Sequence, residues 1–240
     1  MEEFCTMKRL TKTKKRKLKR AAILLSASFI IALVFFSIII KVITDKKQAA
    51  GNIKEAAGLD YSLYNVKHPS SRKMFLTENV NSRPGIKLNI VNGIVIHYTA
   101  NPGTDAEANR NYFESRKDEP DENSNKVSSH YIIGLDGTII QCIPLNEIAY
   151  ASNSRNADTI SIECCHPDET GQFSDDTYNS LVHLTAWLCA KFELTRNSVI
   201  RHYDVTGKMC PLYYVDNSKA WDKLKDDIWN YFLNSKKSTK

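Results

Sequence analysis

Beyond its first twenty residues, the chain has no surplus of basic charge. It contains 33 Lys/Arg and 27 Asp/Glu in 240 residues. Residues 1–20 hold nine Lys/Arg and two Asp/Glu. The rest of the chain therefore holds 24 Lys/Arg and 25 Asp/Glu. The net charge of +6 therefore belongs to the amino-terminal tail. A nucleic-acid-binding domain needs a basic face on its folded part, so this composition argues against nucleic acid as a partner.

Residues 21–40 lack charged side chains altogether. Twenty apolar residues in a helix span about 30 Å, enough to cross the hydrocarbon core of a membrane, and buried helices of soluble proteins are seldom apolar on every face. We therefore predict a transmembrane anchor over residues 21–43. The basic residues 1–20 precede it and form a cytoplasmic tail by the positive-inside rule, which puts the remainder of the chain outside the cell.

A cleaved signal peptide is the alternative interpretation of this run. Its apolar region would usually measure about 7–15 residues and end at a small-residue cleavage site. The present run is longer, and the small residues 49–51 lie well downstream of it. We favour an uncleaved, single-pass anchor, followed by a polar extracellular stalk over residues 44–68 and one folded domain over residues 69–240.

The chain also lacks a C-x₂-C pair and any internal repeat. Structural zinc sites take four ligands and often use such pairs, so that kind of site is not expected. Cys5 falls on the predicted cytoplasmic side and the other five cysteines outside, so at least one of the five is unpaired or bound to metal. Cys164 and Cys165 are neighbours, and we expect them to be small buried residues on opposite faces of a strand.

Strands and helices alternate irregularly along the predicted domain. Apolar and β-branched runs predict strands over residues 92–98, 129–134, 139–143, 159–164 and 199–200. Apolar periodicity and caps predict helices over residues 105–116, 175–192 and 218–233. Asp136-Gly137 between two of the strands is a hairpin turn signal. The pattern indicates an α/β domain with a mixed central sheet flanked by helices.

Three side chains that bind Zn²⁺ well follow predicted strands. His97 ends the first strand, His202 follows the last, and Cys210 lies eight residues further on. A ligand at the end of a buried strand is held on a rigid element. Imidazole and thiolate suit Zn²⁺, and three protein ligands with an open fourth position are typical of a catalytic zinc ion.

Two further residues have chemistry that such a site would use. Glu163 is an acid within a short apolar strand, where a buried charge is costly unless it is paired or used. It is either a partner for Arg155 or Arg201, or a general base beside the metal. Lys208 lies between two predicted ligands, which favours a role in stabilising an oxyanion over that of a surface charge.

The remaining histidines are assigned structural or surface roles from their surroundings. His130 lies on a predicted strand, where it is either structural or part of the cleft lining. His166 precedes a proline in a turn, and His183 lies off the apolar stripe of its helix, so both are predicted at the surface.

Four blocks of sequence together resemble the zinc-dependent N-acetylmuramoyl-L-alanine amidases of the type 2 class, whose fold is shared with peptidoglycan recognition proteins. The blocks are residues 93–101, 127–138, 159–163 and 201–211. The resemblance implies one catalytic Zn²⁺ held by His97, His202 and Cys210, with Glu163 activating water and Lys208 near the scissile carbonyl. It implies cleavage between N-acetylmuramic acid and L-alanine in peptidoglycan. From the predicted anchor and its orientation we expect a monomer on the surface of a Gram-positive cell.

The expected substrate contacts are Tyr98, Asn101 and His130. Two departures from the family pattern bear on the chemistry. Ser129 stands where other branches have a tyrosine, which puts more of the proton transfer on Glu163. Ala151 and Ser152 follow Tyr150, where many members have a histidine.

Two other functions stay open from the sequence. A membrane-anchored muropeptide receptor of the same fold would bind without cleaving, although such relatives typically lack the full ligand set that is present here. A zinc peptidase would cut within the stem peptide, and the new amino terminus of the product would distinguish it from an amidase.

Overall fold

The computed structural model describes residues 36–37, 40, 58–120 and 125–237. The predicted anchor, residues 21–43, therefore lies outside the described residues except at positions 36, 37 and 40. Among the positions described, no helix has the length and apolar character needed to cross a membrane. The chain divides into two compact units, residues 1–51 and 52–240, and the following account concerns the second.

A central sheet of six strands organises the described part of this unit. The strands are β1 (Arg72–Lys73), β2 (Gly93–Tyr98), β3 (Tyr131–Ile133), β4 (Ile139–Gln141), β5 (Thr159–Cys164) and β6 (Val199–Arg201). Their order across the sheet is β1-β4-β3-β5-β2-β6. The β3–β4 hairpin is antiparallel and the other pairs are parallel, as the mixed-sheet prediction requires.

Five α-helices accompany the sheet within residues 58–120 and 125–237, together with short 3-10 turns. They are α1 (Ala106–Ser115), α2 (Asp175–Phe192), α3 (His202–Thr206), α4 (Leu212–Asp216) and α5 (Ser218–Leu233). The Asp105 carboxylate accepts a hydrogen bond from the Ala108 amide, and the Ser174 hydroxyl accepts one from the Thr177 amide, which caps α1 and α2. The predicted bounds of α2 and α5 are confirmed.

Helices cover both faces of the sheet, so two apolar clusters flank it. Ile94, Ile96, Ile160 and Ile162 pack with α2 and α5 in the larger cluster. The smaller cluster includes Phe113 of α1. Cys164 belongs to the larger cluster and Cys165 to the smaller, as expected of neighbours on opposite faces. The five cysteines of the described residues are buried and free.

The end of the predicted stalk is part of the folded unit. The Tyr64 ring stacks on Phe232 with ring centroids 4.4 Å apart, the Tyr61 hydroxyl donates to the carbonyl of Leu194, and Val66 is buried. These side chains bury apolar surface against α5, which a solvated stalk would not do. The predicted boundary at residue 68 is therefore wrong for residues 61–66, which pack on the domain.

Candidate active site

The carboxyl ends of three parallel strands bring the predicted site residues together. In the β2–β5 pair, His97 lies directly opposite Glu163. Strand β6 pairs with the other side of β2 and leads directly into α3, of which His202 is the first residue. Ligand sites of open α/β sheets form where parallel strands end, and this site follows that rule.

A tight loop after α3 places Cys210 next to the two histidines. The helix ends at Gly207, whose φ of +80° is the left-handed conformation that glycine adopts readily. The Tyr203 amide then donates to the carbonyl of Cys210 at 2.9 Å, which ties the end of the loop back onto the first turn of α3. The loop places Lys208 beside the same cleft.

The two histidines and the cysteine form one cluster of potential metal ligands. Their candidate ligand atoms all lie within 4.8 Å of one another. The Cys210 sulfur is 3.7 Å from Nδ1 of His97, and the two imidazole centroids are 4.7 Å apart. All three side chains are buried.

The electrostatics of the cluster suit a divalent cation. Burial lowers the pKa of His97 well below its ordinary value, with His202 and Lys208 adding to the effect. Burial and then Lys208 also lower the pKa of His202. Burial and the nearby Glu163 raise the pKa of Cys210 to about 12. Neutral imidazoles are ready to bind metal, and a cation would supply the charge that the thiolate needs.

Glu163 is a largely buried carboxyl without a conventional partner. Burial raises its pKa to about 8, against the opposing influence of Lys208. Its Oε1 lies 4.0 Å from Nδ1 of His97, and its Oε2 is buried without a hydrogen bond. Arg155 pairs with Asp158 and Arg201 with Asp204, so neither arginine is the ion-pair partner considered from the sequence. A buried carboxylate oxygen without a hydrogen bond is free to accept a proton. Its position beside two imidazoles and a thiol fits a catalytic zinc site.

A cleft of about 410 Å³ opens onto this cluster. The three potential ligands, Glu163, Lys208 and Tyr98 all line it. Asn101 is exposed outside the lining, in a turn where its carbonyl accepts from the Thr104 hydroxyl. The expected substrate contact by Asn101 stays a prediction.

The histidine predictions need two corrections. His130 is 1% exposed, with Nδ1 3.0 Å from the Ser161 hydroxyl and Nε2 3.0 Å from the Glu147 carbonyl. Both ring nitrogens are thus occupied within the fold, and His130 is structural and not a substrate contact. His166 is also 1% exposed and packs against the Tyr98 ring, so its predicted surface position is wrong.

Sequence reasoning missed two residues that contact the potential ligands. The Ser152 hydroxyl lies 3.3 Å from Nε2 of His97. The side-chain oxygen of Asn153 lies 2.8 Å from Nε2 of His202. Serine and asparagine are ordinary loop residues, and some fifty residues separate each from its histidine, so only the fold reveals these contacts.

The fold and cluster define the class: an α/β protein with a candidate mononuclear metal site beside a buried carboxyl. Residues 87–212 match the family model described as N-acetylmuramoyl-L-alanine amidase, and the chain belongs to this family.

Two curated relatives and one solved structure illustrate the likeness. N-acetylmuramoyl-L-alanine amidase CwlL of Bacillus licheniformis is 36% identical over 174 residues, which cover 65% of this chain and 46% of the relative. N-acetylmuramoyl-L-alanine amidase BlyA of Bacillus subtilis (strain 168) is 32% identical over 175 residues, covering 64% and 45%. The chain thus spans about half the length of these relatives. The catalytic domain of XlyA is 28% identical, with a TM-score of 0.56 over 67% of this chain and 99% of that domain.

Proposed function

We propose that this chain is a zinc-dependent hydrolase that cleaves the amide bond between N-acetylmuramic acid and L-alanine in peptidoglycan. The observation that carries the proposal is the cluster of His97, His202 and Cys210, with Glu163 4.0 Å from His97 and one of its oxygens buried without a hydrogen bond. Membership of the amidase family and the names of both curated relatives support the choice of this bond.

In this proposal His97, His202 and Cys210 hold the metal. When bound, Zn²⁺ supplies a Lewis acid for the carbonyl and lowers the pKa of water toward neutrality. Glu163 accepts a proton from the attacking water and donates it to the amine of L-alanine as that amine leaves. Lys208 lines the same cleft, and its ammonium group stabilises negative charge on the carbonyl oxygen.

The proton-transfer role is assigned to Glu163 alone because Ser129 is held within the core. Ser129, at the position where other branches have a tyrosine, is fully buried. Its hydroxyl donates to the Tyr131 carbonyl at 2.8 Å, so it is occupied within the core. Among the residues that line the cleft, Glu163 is the carboxyl nearest the cluster.

We further propose that residues 21–43 anchor a monomeric enzyme in the cytoplasmic membrane of a Gram-positive cell, with residues 1–20 inside and the domain outside. The uncharged run and the basic residues before it support this orientation. Protease treatment of intact protoplasts tests it: loss of the domain with retention of a short amino-terminal fragment is expected. Protection of the domain would contradict it.

Digestion of purified cell wall by the full-length chain in detergent tests the activity. We expect about one zinc ion per chain and muropeptides that expose the free amine of L-alanine, identified by mass spectrometry. Removal of the metal should abolish release, and added Zn²⁺ should restore it. Cys210→Ser should weaken zinc binding, because a hydroxyl is a poor zinc ligand.

The alternatives predict different products. A muropeptide receptor would bind zinc and muropeptides yet release nothing from the wall. A peptidase would expose an amine further along the stem peptide. Either result would overturn the proposed amidase.

A further inference from the structure

Two adjacent residues of the segment Ala151–Asn156, which borders the cleft, contact the two histidines. Nδ1 of His97 faces the cluster, 3.7 Å from the Cys210 sulfur and 4.0 Å from Oε1 of Glu163. Its other nitrogen, Nε2, faces the Ser152 hydroxyl at 3.3 Å. Nε2 of His202 likewise faces the Asn153 side-chain oxygen at 2.8 Å. Ser152 and Asn153 therefore contact the Nε2 atoms of two potential ligands.

The segment is fixed by its own hydrogen bonds. The Asn156 side-chain oxygen accepts from the backbone amides of Ala151, at 3.1 Å, and Ser152, at 2.6 Å. Asn153 has a φ of +51°, a left-handed conformation that asparagine tolerates better than most residues other than glycine. Ser152 is 1% exposed. The turn is internally bonded, with Ser152 buried and Asn153 exposed, and these bonds hold its side chains in one place.

The chemistry of these contacts determines which nitrogen is free. The Asn153 side-chain oxygen can only accept, so His202 donates from Nε2–H and keeps the lone pair on Nδ1. The Ser152 hydroxyl can accept from Nε2–H of His97 in the same way. We propose that Ser152 and Asn153 are positioning residues, which hold both imidazoles in the Nε2-protonated tautomer and direct both Nδ1 lone pairs toward the metal. This inference rests on the proposed zinc site.

A matched pair of substitutions at Asn153 separates the side-chain oxygen from the backbone conformation. Asn153→Gly keeps a residue that favours positive φ and removes the oxygen, whereas Asn153→Asp keeps an acceptor oxygen. Loss of such an outer contact typically weakens metal affinity by about 10–100-fold. We expect that loss for Asn153→Gly, and affinity within about 3-fold of wild type or tighter for Asn153→Asp. Competition with a chelating indicator on the full-length chain measures both.

The tautomers provide a readout that does not depend on activity. The chain has six histidines, so ¹⁵N-histidine labelling of the metal-free protein gives few signals. We expect His202 to be protonated at Nε2 in the wild type and to become a mixture of tautomers in Asn153→Gly. His130, bonded to Ser161 and Glu147 within the core, should not change and is the internal reference.

Ser152→Ala provides the same test at His97, with a smaller expected loss of zinc affinity because the Ser152–His97 contact is longer. Circular dichroism would reveal whether Asn153→Gly folds poorly, and in that case Ser152→Ala alone tests the inference. If Asn153→Gly and Ser152→Ala both kept wild-type zinc affinity and unchanged tautomers, this inference would be overturned, and the proposed function would stand. A wild-type chain that binds no zinc would overturn the proposed function and this inference with it.

Discussion

Two carboxyl groups in different regions of this domain have similar exposure and opposite chemistry. Glu163 at the floor of the cleft and Glu114 on α1 have side chains that are 15% and 17% exposed. Burial raises the pKa of Glu163 to about 8. Burial also acts against ionisation of Glu114, yet hydrogen bonds from Thr77 and Lys117 outweigh it and lower its pKa to about 2.

The difference lies in the donors that surround each carboxylate. The Glu114 oxygens accept from the Thr77 amide at 3.1 Å and from its hydroxyl at 2.6 Å, and Arg110 forms an ion pair with it at 3.0 Å. Glu163 has one buried oxygen with no donor. A satisfied carboxylate stabilises the fold, whereas an unsatisfied one is available to exchange a proton.

Substitution of Glu163 by Gln should give the largest effect. Glutamine has nearly the same shape but cannot accept the proton of water, so we expect kcat on purified cell wall to fall by about 10²–10⁴-fold. Zinc content should stay close to wild type, because Glu163 is not one of the three ligands in our proposal. Glu114→Gln, the matched control, should retain activity. Equal activity in both variants would remove Glu163 from the chemistry.

Substitution of Lys208 by Ala should give the second-largest loss of kcat. Loss of a group that stabilises an oxyanion commonly lowers kcat by about 10²–10³-fold. Lys126, which also lines the cleft but lies over the Tyr150 ring, offers a matched lysine for comparison. We expect Lys126→Ala to leave kcat within a few-fold of wild type. Steady-state rates on a soluble muropeptide would distinguish the two, and a normal kcat for Lys208→Ala would make it only a surface charge.

Regular alternation allowed the strand that carries Glu163 to be predicted from the sequence. Ile160 and Ile162 alternate with Ser161 and Glu163, so the strand and the placement of its acid opposite the isoleucines followed from period two. The bounds of β5 agree with that prediction. The long helices were predictable for the same reason, since each repeats its apolar face over several turns.

Features that do not show a repeating apolar pattern in the sequence were not predicted. Helix α3 and helix α4 have five residues each, too few for an apolar stripe to emerge. The burial of His166 and the contacts of Ser152 and Asn153 depend on segments distant in sequence. The three potential ligands were proposed from residue type and family resemblance, and their convergence required the strand order that the structure supplies.

Substitution of Glu114 by Gln should change stability rather than activity. Its carboxylate accepts two hydrogen bonds from Thr77 and pairs with Arg110, and hydrogen bonds to charged groups contribute about 1.5–3 kcal/mol each at most. We expect the free energy of unfolding of the metal-free chain to fall by about 1–3 kcal/mol at pH 7. Urea denaturation followed by tryptophan fluorescence measures it. An unchanged midpoint and slope would show that glutamine satisfies the same donors.

The pH dependence of stability should have opposite signs for the two carboxyl groups. Glu114 has a lowered pKa, so its contribution is present above the ordinary value of 4.5 and is lost as pH falls through about 2. Glu163 has a raised pKa, so its contribution is present below 4.5 and is lost as pH rises through about 8 in the metal-free chain. Stability relative to wild type should therefore rise toward acid pH for Glu114→Gln and toward alkaline pH for Glu163→Gln. Urea titrations of both variants between pH 2 and pH 9 test this, and parallel curves for the two would contradict the contrast between them.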